Sequence, residues 1–299
     1  MSTPCTRCNQ KPSTYHREYS GERLCPECFN ETLLERVKKT INKYKMFEWD
    51  SRIAIGVSGG KDSLTLLHLL HEIESDKPNA ELIAVSIDEG VAGYRDEALR
   101  LAEKNCRKLD IEMHTLSFRD LFEETMDEIA HKERELGACS YCGVLRRRAL
   151  NEAAKQVEAD RLATGHNLDD MAQSVLLNLL RGDMNRIDSF DPGGQQLGDF
   201  VRRVKPLCEV PERETTYYAY INNLEFQSLP CPYADEAMRS DARSFLNQME
   251  HKRPGTKFIV YQTGLKIRGE PENRVINRCR ICGAPTTGDI CRSCELTRS

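Results

Sequence analysis

The 299-residue chain carries 43 Lys and Arg against 47 Asp and Glu, a net charge of −4, with 39 % hydrophobic and 30 % charged residues. That length suits one large domain with attachments, or two domains, and the charge argues against sequestering nucleic acid by bulk charge, though not against a local basic face. The longest apolar stretches, such as 175–180, fall far short of the ~20 residues of a membrane span, and the polar start argues against a secretory signal. We therefore expect a cytoplasmic protein with no membrane partner. Residues 1–29 hold two C-x2-C pairs in a unit too short to bury a core, so a metal has to organise it. A linker helix follows within 30–50, where Leu33, Leu34, Val37, Ile41 and Tyr44 recur at helical spacing. From 51 to 272 the pattern changes to apolar runs alternating with amphipathic segments. Strands are expected at 53–57, 81–87, 111–116, 161–165 and 200–206. Helices are expected at 62–73, 94–109, 118–135, from the Cys139 pair to 158, and at 168–180, 211–224 and 235–249. Residues 182–198, rich in Gly, Asp and Asn, read as a loop. This alternation predicts an α/β fold with a parallel sheet and helices on both faces. A second small Cys unit occupies 273–299.

Two motifs stand out. Ser58-Gly59-Gly60-Lys61-Asp62-Ser63 lies between a predicted strand and helix. Glycines there let backbone amides approach an anion at a helix N-terminus, and Lys61 adds a charge. Asp62 stands where a Walker A loop has its Ser or Thr, so a pyrophosphate cradle with chemistry at the α-phosphate fits better than γ-phosphate transfer. Gly165-His166-Asn167-Leu168-Asp169-Asp170 ends another strand, where open α/β sheets place ligands. Asp62, Asp169 or Asp170 can hold Mg2+ against phosphates; alternatively, Asp169 caps the following helix.

The 13 cysteines argue for thiolate metal sites, not disulfides, in a reducing compartment. Cys5, Cys8, Cys25 and Cys28 make one set of four, and Cys279, Cys282, Cys291 and Cys294 another. Each has the closed tetrahedral shell of a structural Zn2+, with no open position for catalysis. Cys139, Cys142 and Cys231, the last between two prolines, supply only three ligands. Cys106 and Cys208 read as buried hydrophobes.

SGGKDS is the signature of the PP-loop ATP pyrophosphatases, and GHNxDD that of their tRNA-modifying branch. With the terminal Cys units, the central CxxC and Cys231, the whole chain resembles the TtuA/NcsA-type tRNA 2-thiouridine synthetases. That resemblance implies an adenine nucleotide alpha hydrolase-like fold between two zinc units. It implies ATP contacts at Val57, Ser58, Gly59, Gly60, Lys61, Asp62, Ser63, Ile87, Arg146, Gly165, His166 and Asp169, with catalytic roles for Lys61, Asp62, Asp170, Arg146 and the three central cysteines. It also implies a [4Fe-4S] cluster on Cys139, Cys142 and Cys231 with one iron free for sulfide. A cluster-free persulfide route on the same cysteines is the alternative. Family members often carry Lys where this chain has Arg146, and an arginine cannot exchange a proton at neutral pH. The implied reaction is ATP-dependent adenylation of a tRNA uridine at C2, position 34 or 54, then sulfur transfer with loss of AMP. The implied partners are tRNA, a sulfur donor (a thiocarboxylated ubiquitin-like carrier or free sulfide) and a second copy in a homodimer. Two rivals are a PP-loop ligase of another kind and a zinc-ribbon RNA scaffold. Basic clusters at 38–39, 146–148, 202–205, 252–253 and 274–280 offer phosphate contacts that position an RNA without specifying it.

Overall fold

The computed structural model describes residues 3–75, 77–133, 136–188, 190–234, 237–269 and 276–297. The chain opens with an antiparallel hairpin, β1 (Tyr15–Arg17) and β2 (Glu22–Leu24), which the sequence reading did not resolve. Helix α1 (Pro26–Lys43) follows at once, several residues earlier than expected, because Pro26 opens its first turn. Cys28 therefore already sits on this helix.

The central sheet contains β3 (Arg52–Gly56), β4 (Glu81–Asp88), β5 (Met113–Ser117), β6 (Arg161–Thr164) and β7 (Arg202–Val204). Its order is β5-β4-β3-β6-β7 and all pairs are parallel. Between the strands run α2 (Lys61–Glu74), α3 (Arg95–Lys108), α4 (Phe118–Phe122), α5 (Met126–Ala130), α6 (Ala138–Gln156), α7 (Leu168–Arg181) and α8 (Met184–Asp188). After β7 come α9 (Glu212–Ile221), α10 (Ala237–Lys252) and α11 (Thr256–Ile267). The chain closes with the short strands β8 (Asn277–Arg278) and β9 (Pro285–Thr286), then α12 (Arg292–Thr297).

Alternate residues of β3 face opposite layers, as strand geometry requires. Ile53 and Ile55 join the core with α1, α2, α7 and α9; Ala54 joins the core with α4, α5 and α6. Strand order reverses between β3 and β6, since the chain steps outward from β3 to β4 and β5 and then crosses to β6 and β7 on the other side. This opens a crevice at the strands' C-terminal ends, the usual ligand position in such sheets.

Several expected elements differ. The single helix expected over 118–135 is two short ones: Glu123 adopts left-handed φ of 66°, and Thr125 then starts α5 with a capping box to Glu128. Its expected end, Glu135, lies outside the described residues, as do Asp235 and the boundary near 272. The loop over 182–198 contains α8, and α11 was not foreseen. Tyr261, in α11, is fully buried and hydrogen-bonds Tyr44 at 2.8 Å, so tertiary packing holds this helix to α1.

Candidate functional site

The phosphate loop joins β3 to α2. Val57 N–H donates to the Val85 carbonyl at 2.8 Å, which continues the ladder one residue past β3. Ser63 then folds the turn on itself: its hydroxyl donates to the Gly60 carbonyl at 2.9 Å and accepts from Ser58 N–H at 3.1 Å. Gly59 has φ of 84°, and a Cβ there would lie 2.2 Å from the Ala98 carbonyl oxygen, so only glycine fits. Gly60 caps α2 without a side chain, leaving the helix N-terminus open to an anion.

Beside the loop is a cavity of about 280 Å³. Val57, Ser58, Asp62, Ser63 and Ile87 line it from the β3–β4 side, and Gly165, His166 and Asp170 from the β6 side. A Cβ on Gly165 would come within 3.0 Å of the first-turn backbone at Asp62 and Ser63, so the two motifs meet there through a glycine.

Asp62 Oδ1 accepts from Thr215 Oγ1 at 2.5 Å and from Asn167 Nδ2 at 3.1 Å, while Oδ2 accepts from Lys61 Nζ at 2.7 Å. Lys61 also reaches Glu212 at 2.9 Å, so α9 holds both loop residues. Asn167 caps α7 in a reciprocal box with Asp170, whose other oxygen is 3.5 Å from Arg239. Burial raises the Asp170 carboxyl; Arg239 opposes this and the Asp62 charge adds to it. A cation between Asp62 and Asp170 would relieve that repulsion, so this carboxylate pair suits Mg2+. Asp169 does not cap α7 and does not line the cavity. It is buried, pairs with Lys257 and accepts from Glu212 N–H at 2.8 Å, so it fixes the start of α9.

The three central cysteines lie behind Arg146, which lines the cavity and contacts Cys142. Cys139 and Cys142 open α6, and the Cys139 thiol donates to the Tyr233 carbonyl at 2.6 Å, which brings the Cys231 loop over the pair. Gln227 N–H donates to the Gly59 carbonyl at 2.9 Å, so the same segment is also tied to the phosphate loop. The three sulfurs are close enough for Cys231 and Cys139 to raise Cys142 electrostatically, yet they do not form a set with all sulfurs within 4.8 Å. Three thiolates without a fourth leave an incomplete shell for a structural zinc and are a ligand set that an iron–sulfur cluster can use. Burial pushes the Cys142 thiol up to about 11 against the Arg146 cation, so metal binding there must release a proton.

A chain of charges, buried at Glu89 and Arg95 and half exposed at Arg146, connects the phosphate loop to the cysteines. Arg146 donates to Cys142 Sγ at 3.1 Å and pairs with Glu89 at 2.6 Å. The other Glu89 oxygen pairs with Arg95 at 2.9 Å. Arg95 in turn donates to the carbonyls of Ser58 and Ile87, each at 2.6 Å. Glu89 and Arg95 were not singled out in the sequence. Glu89 follows β4 directly, and the strand-end rule that selected Asp169 and Asp170 would have found it. Glu212, Thr215 and Arg239 carry no local motif; only the tertiary fold brings them in.

Both terminal cysteine sets close up: all four sulfurs in each lie within 4.8 Å of one another. Tetrahedral Zn–S bonds of about 2.3 Å put sulfurs about 3.8 Å apart, and Cys8–Cys25 and Cys282–Cys291 measure 4.0 and 3.6 Å. Burial raises Cys5 and Cys279, but converging backbone N–H groups outweigh it and bring each to about 6. The residues therefore fit Zn2+. The N-terminal unit docks on α9 through fully buried Glu214, which accepts from Arg17 at 3.0 Å, from Arg36 at 3.1 Å and from Tyr19. The C-terminal unit docks on α6 through Arg148, which donates to Ser293 at 2.9 Å.

Comparison with known proteins agrees with this layout. Residues 30–250 match the PP-loop domain family, and residues 5–30 match the N-terminal LIM domain of the 2-thiouridine synthetase TtuA. The tRNA 2-thiolation protein NcsA of Haloferax volcanii is 36 % identical, over 99 % of this chain and 98 % of its own. The cytoplasmic tRNA 2-thiolation protein 1 of Candida glabrata is 35 % identical, over 99 % and 86 %. Among solved structures, the U34-tRNA thiolase NcsA from Methanococcus maripaludis with its [4Fe-4S] cluster matches with a TM-score of 0.87 and 34 % identity, over 100 % of this chain and 96 % of that one. A PP-loop, a three-cysteine site joined to it by a chain of charges and two four-cysteine units, matched along the whole length by these relatives, place the chain in the PP-loop family of tRNA 2-thiolation proteins.

Proposed function

We propose that this chain 2-thiolates uridine 34 of cytoplasmic tRNA, using ATP to activate the base. The observation that carries the reading is the Ser58–Arg95–Glu89–Arg146–Cys142 connection, which runs along the cavity wall from the phosphate loop as far as Arg146 and there meets the three-cysteine site. The full-length likeness to the U34-tRNA thiolase from Methanococcus maripaludis supports position 34, and the names of the eukaryotic relatives support the cytoplasm.

The target base must leave its stack to enter the cavity. Its C2 oxygen attacks the α-phosphate of ATP and pyrophosphate leaves, giving the O2-adenylated uridine. Sulfide from a small-molecule or carrier donor then attacks C2, and AMP departs with the original oxygen. The α2 N-terminus and the Ser58–Ser63 turn hold the phosphates. Lys61, steadied by Glu212, offsets the charge developing on the leaving pyrophosphate. Asp62 and Asp170 are the residues that would hold Mg2+. Cys139, Cys142 and Cys231 would hold a [4Fe-4S] cluster, which when bound supplies an iron position where sulfide can be kept as a nucleophile. Arg146 fixes the Cys142 sulfur and, as a permanent cation, exchanges no proton. Zn2+ in each terminal unit supplies folding energy and anchors helices α9 and α6. Two measurements test the reading: tRNA-dependent release of pyrophosphate by the purified protein, and mass-spectrometric mapping of 2-thiouridine in tRNA from cells lacking it. Loss of the modification at position 34 is expected. An unchanged position 34 would overturn the assignment.

A further inference from the structure

We infer that Arg147, Arg203 and Lys205 form a binding site for an RNA backbone phosphate beside the nucleotide cavity, on its β6–β7 edge and separate from the phosphate loop. The inference rests on tRNA being the substrate. The three cations come from different elements, α6, β7 and the residue just after β7, and Arg203 donates to the Arg147 carbonyl at 3.1 Å. Their neighbours Arg146, Arg186 and Arg239 are each paired, with Glu89, Asp183 and Asp170. Among the described residues, Arg147, Arg203 and Lys205 have no carboxylate within ion-pair distance, and the buried Arg203 Nε has no hydrogen-bond partner. In a chain of net charge −4 this is a local excess.

The positions of the charges show where an anion would go. His166, exposed on the cavity wall, is pushed down by desolvation and then by Lys205, Arg203, Arg239 and Arg147, so these cations stand beside the cavity, although Arg147, Arg203 and Lys205 do not line it. Arg203 itself is lowered to about 10, first by burial and then by Arg147. Such a group is stabilised by a ligand that brings negative charge. ATP already has a cradle at the α2 N-terminus, on the β3 side, whereas this cluster lies on the β6–β7 edge. A nucleotide that enters the cavity base-first trails its flanking phosphates beside it, on this edge. The fork of a guanidinium suits a phosphate's paired oxygens.

The test is tRNA affinity of the full-length, metal-loaded protein across a series of salt concentrations, with ATP affinity measured in parallel. Arg203→Met and Arg147→Gln are the variants; Arg147 is exposed, so its loss leaves folding intact even if Arg203→Met disturbs β7. One lost phosphate contact makes the slope of log K against log salt shallower by about 0.7–0.9. We expect that change in both variants, with weaker tRNA binding at low salt and ATP affinity unaltered. An unchanged slope would overturn the site. Reduced ATP affinity with the slope unchanged would overturn it too, by assigning the cations to the nucleotide. Failure of the unaltered protein to bind tRNA at any salt concentration would instead refute the substrate reading on which the site rests.

Discussion

Glu89→Gln keeps the size of the side chain and removes its charge, so it isolates what the carboxylate contributes. Glu89 is 5 % exposed, and its two oxygens serve Arg95 at 2.9 Å and Arg146 at 2.6 Å. Removing one partner of a buried ion pair costs about 3–5 kcal/mol when the other is left unpaired. Here part of that is spared. Arg95 keeps acceptors at Ile87, Ser58 and Ser86, and Arg146 is half exposed, so water takes over its second face. Glutamine also still accepts from one guanidinium. The net loss should be about 2–3 kcal/mol, arising mostly on the Arg95 side. Urea unfolding of zinc-loaded, iron-free protein followed by far-UV circular dichroism measures it as a lower midpoint at constant slope. Iron-loaded protein should in addition show an altered cluster spectrum, because Arg146 is no longer aimed at Cys142. A variant within about 0.5 kcal/mol of the parent, the usual range of an inconsequential surface change, would refute the reasoning.

Gly59→Ala would place a Cβ 2.2 Å from the Ala98 carbonyl oxygen; the loop must shift, so calorimetry should show at least a tenfold loss of ATP affinity, and unchanged binding would contradict the loop's role. Cys279→Ala should cost one of two zinc equivalents by elemental analysis and, through the Arg148–Ser293 contact, speed amide exchange in α6; a zinc-replete variant would refute the site. Desolvation and then Lys205, Arg203, Arg239 and Arg147 push His166 down; its exposed ring screens part of that effect, so the unfolded chain binds the extra proton below its ordinary pKa of about 6.5, and stability falls modestly as pH drops from there. His166→Asn should flatten that fall in a pH series of melting temperatures, and identical profiles would argue against a neutral imidazole.

The parallel sheet was legible because each strand is a short apolar run and each helix repeats at 3.6 residues. The same periodicity misled at 118–135, where Glu123 in a left-handed conformation and the Thr125 cap interrupt an otherwise helical pattern. The two four-cysteine sites follow from spacing alone, since four thiolates in pairs admit few other arrangements. The Cys139–Cys142–Cys231 grouping is different: 88 residues lie between its second and third members, and only the fold shows the Tyr233 carbonyl meeting Cys139. Asp169 illustrates the limit of motif reading. It sits inside GHNxDD, yet Lys257 and the Glu212 amide, from distant parts of the chain, turn it away from the cavity. Glu214 was silent for the converse reason: nothing in its neighbourhood announces that Arg17 and Arg36 will bury it.

The central claim is that the three-cysteine site delivers sulfur as a metal cluster to a base activated next door. Single-turnover thiolation of unmodified tRNA, with ATP and sulfide, compares protein reconstituted anaerobically with iron against the same protein freed of iron, both retaining zinc. The account predicts 2-thiouridine from the first and none from the second, with ATP bound equally by both. Equal product from the two would contradict it, because sulfide would then reach the activated base without iron.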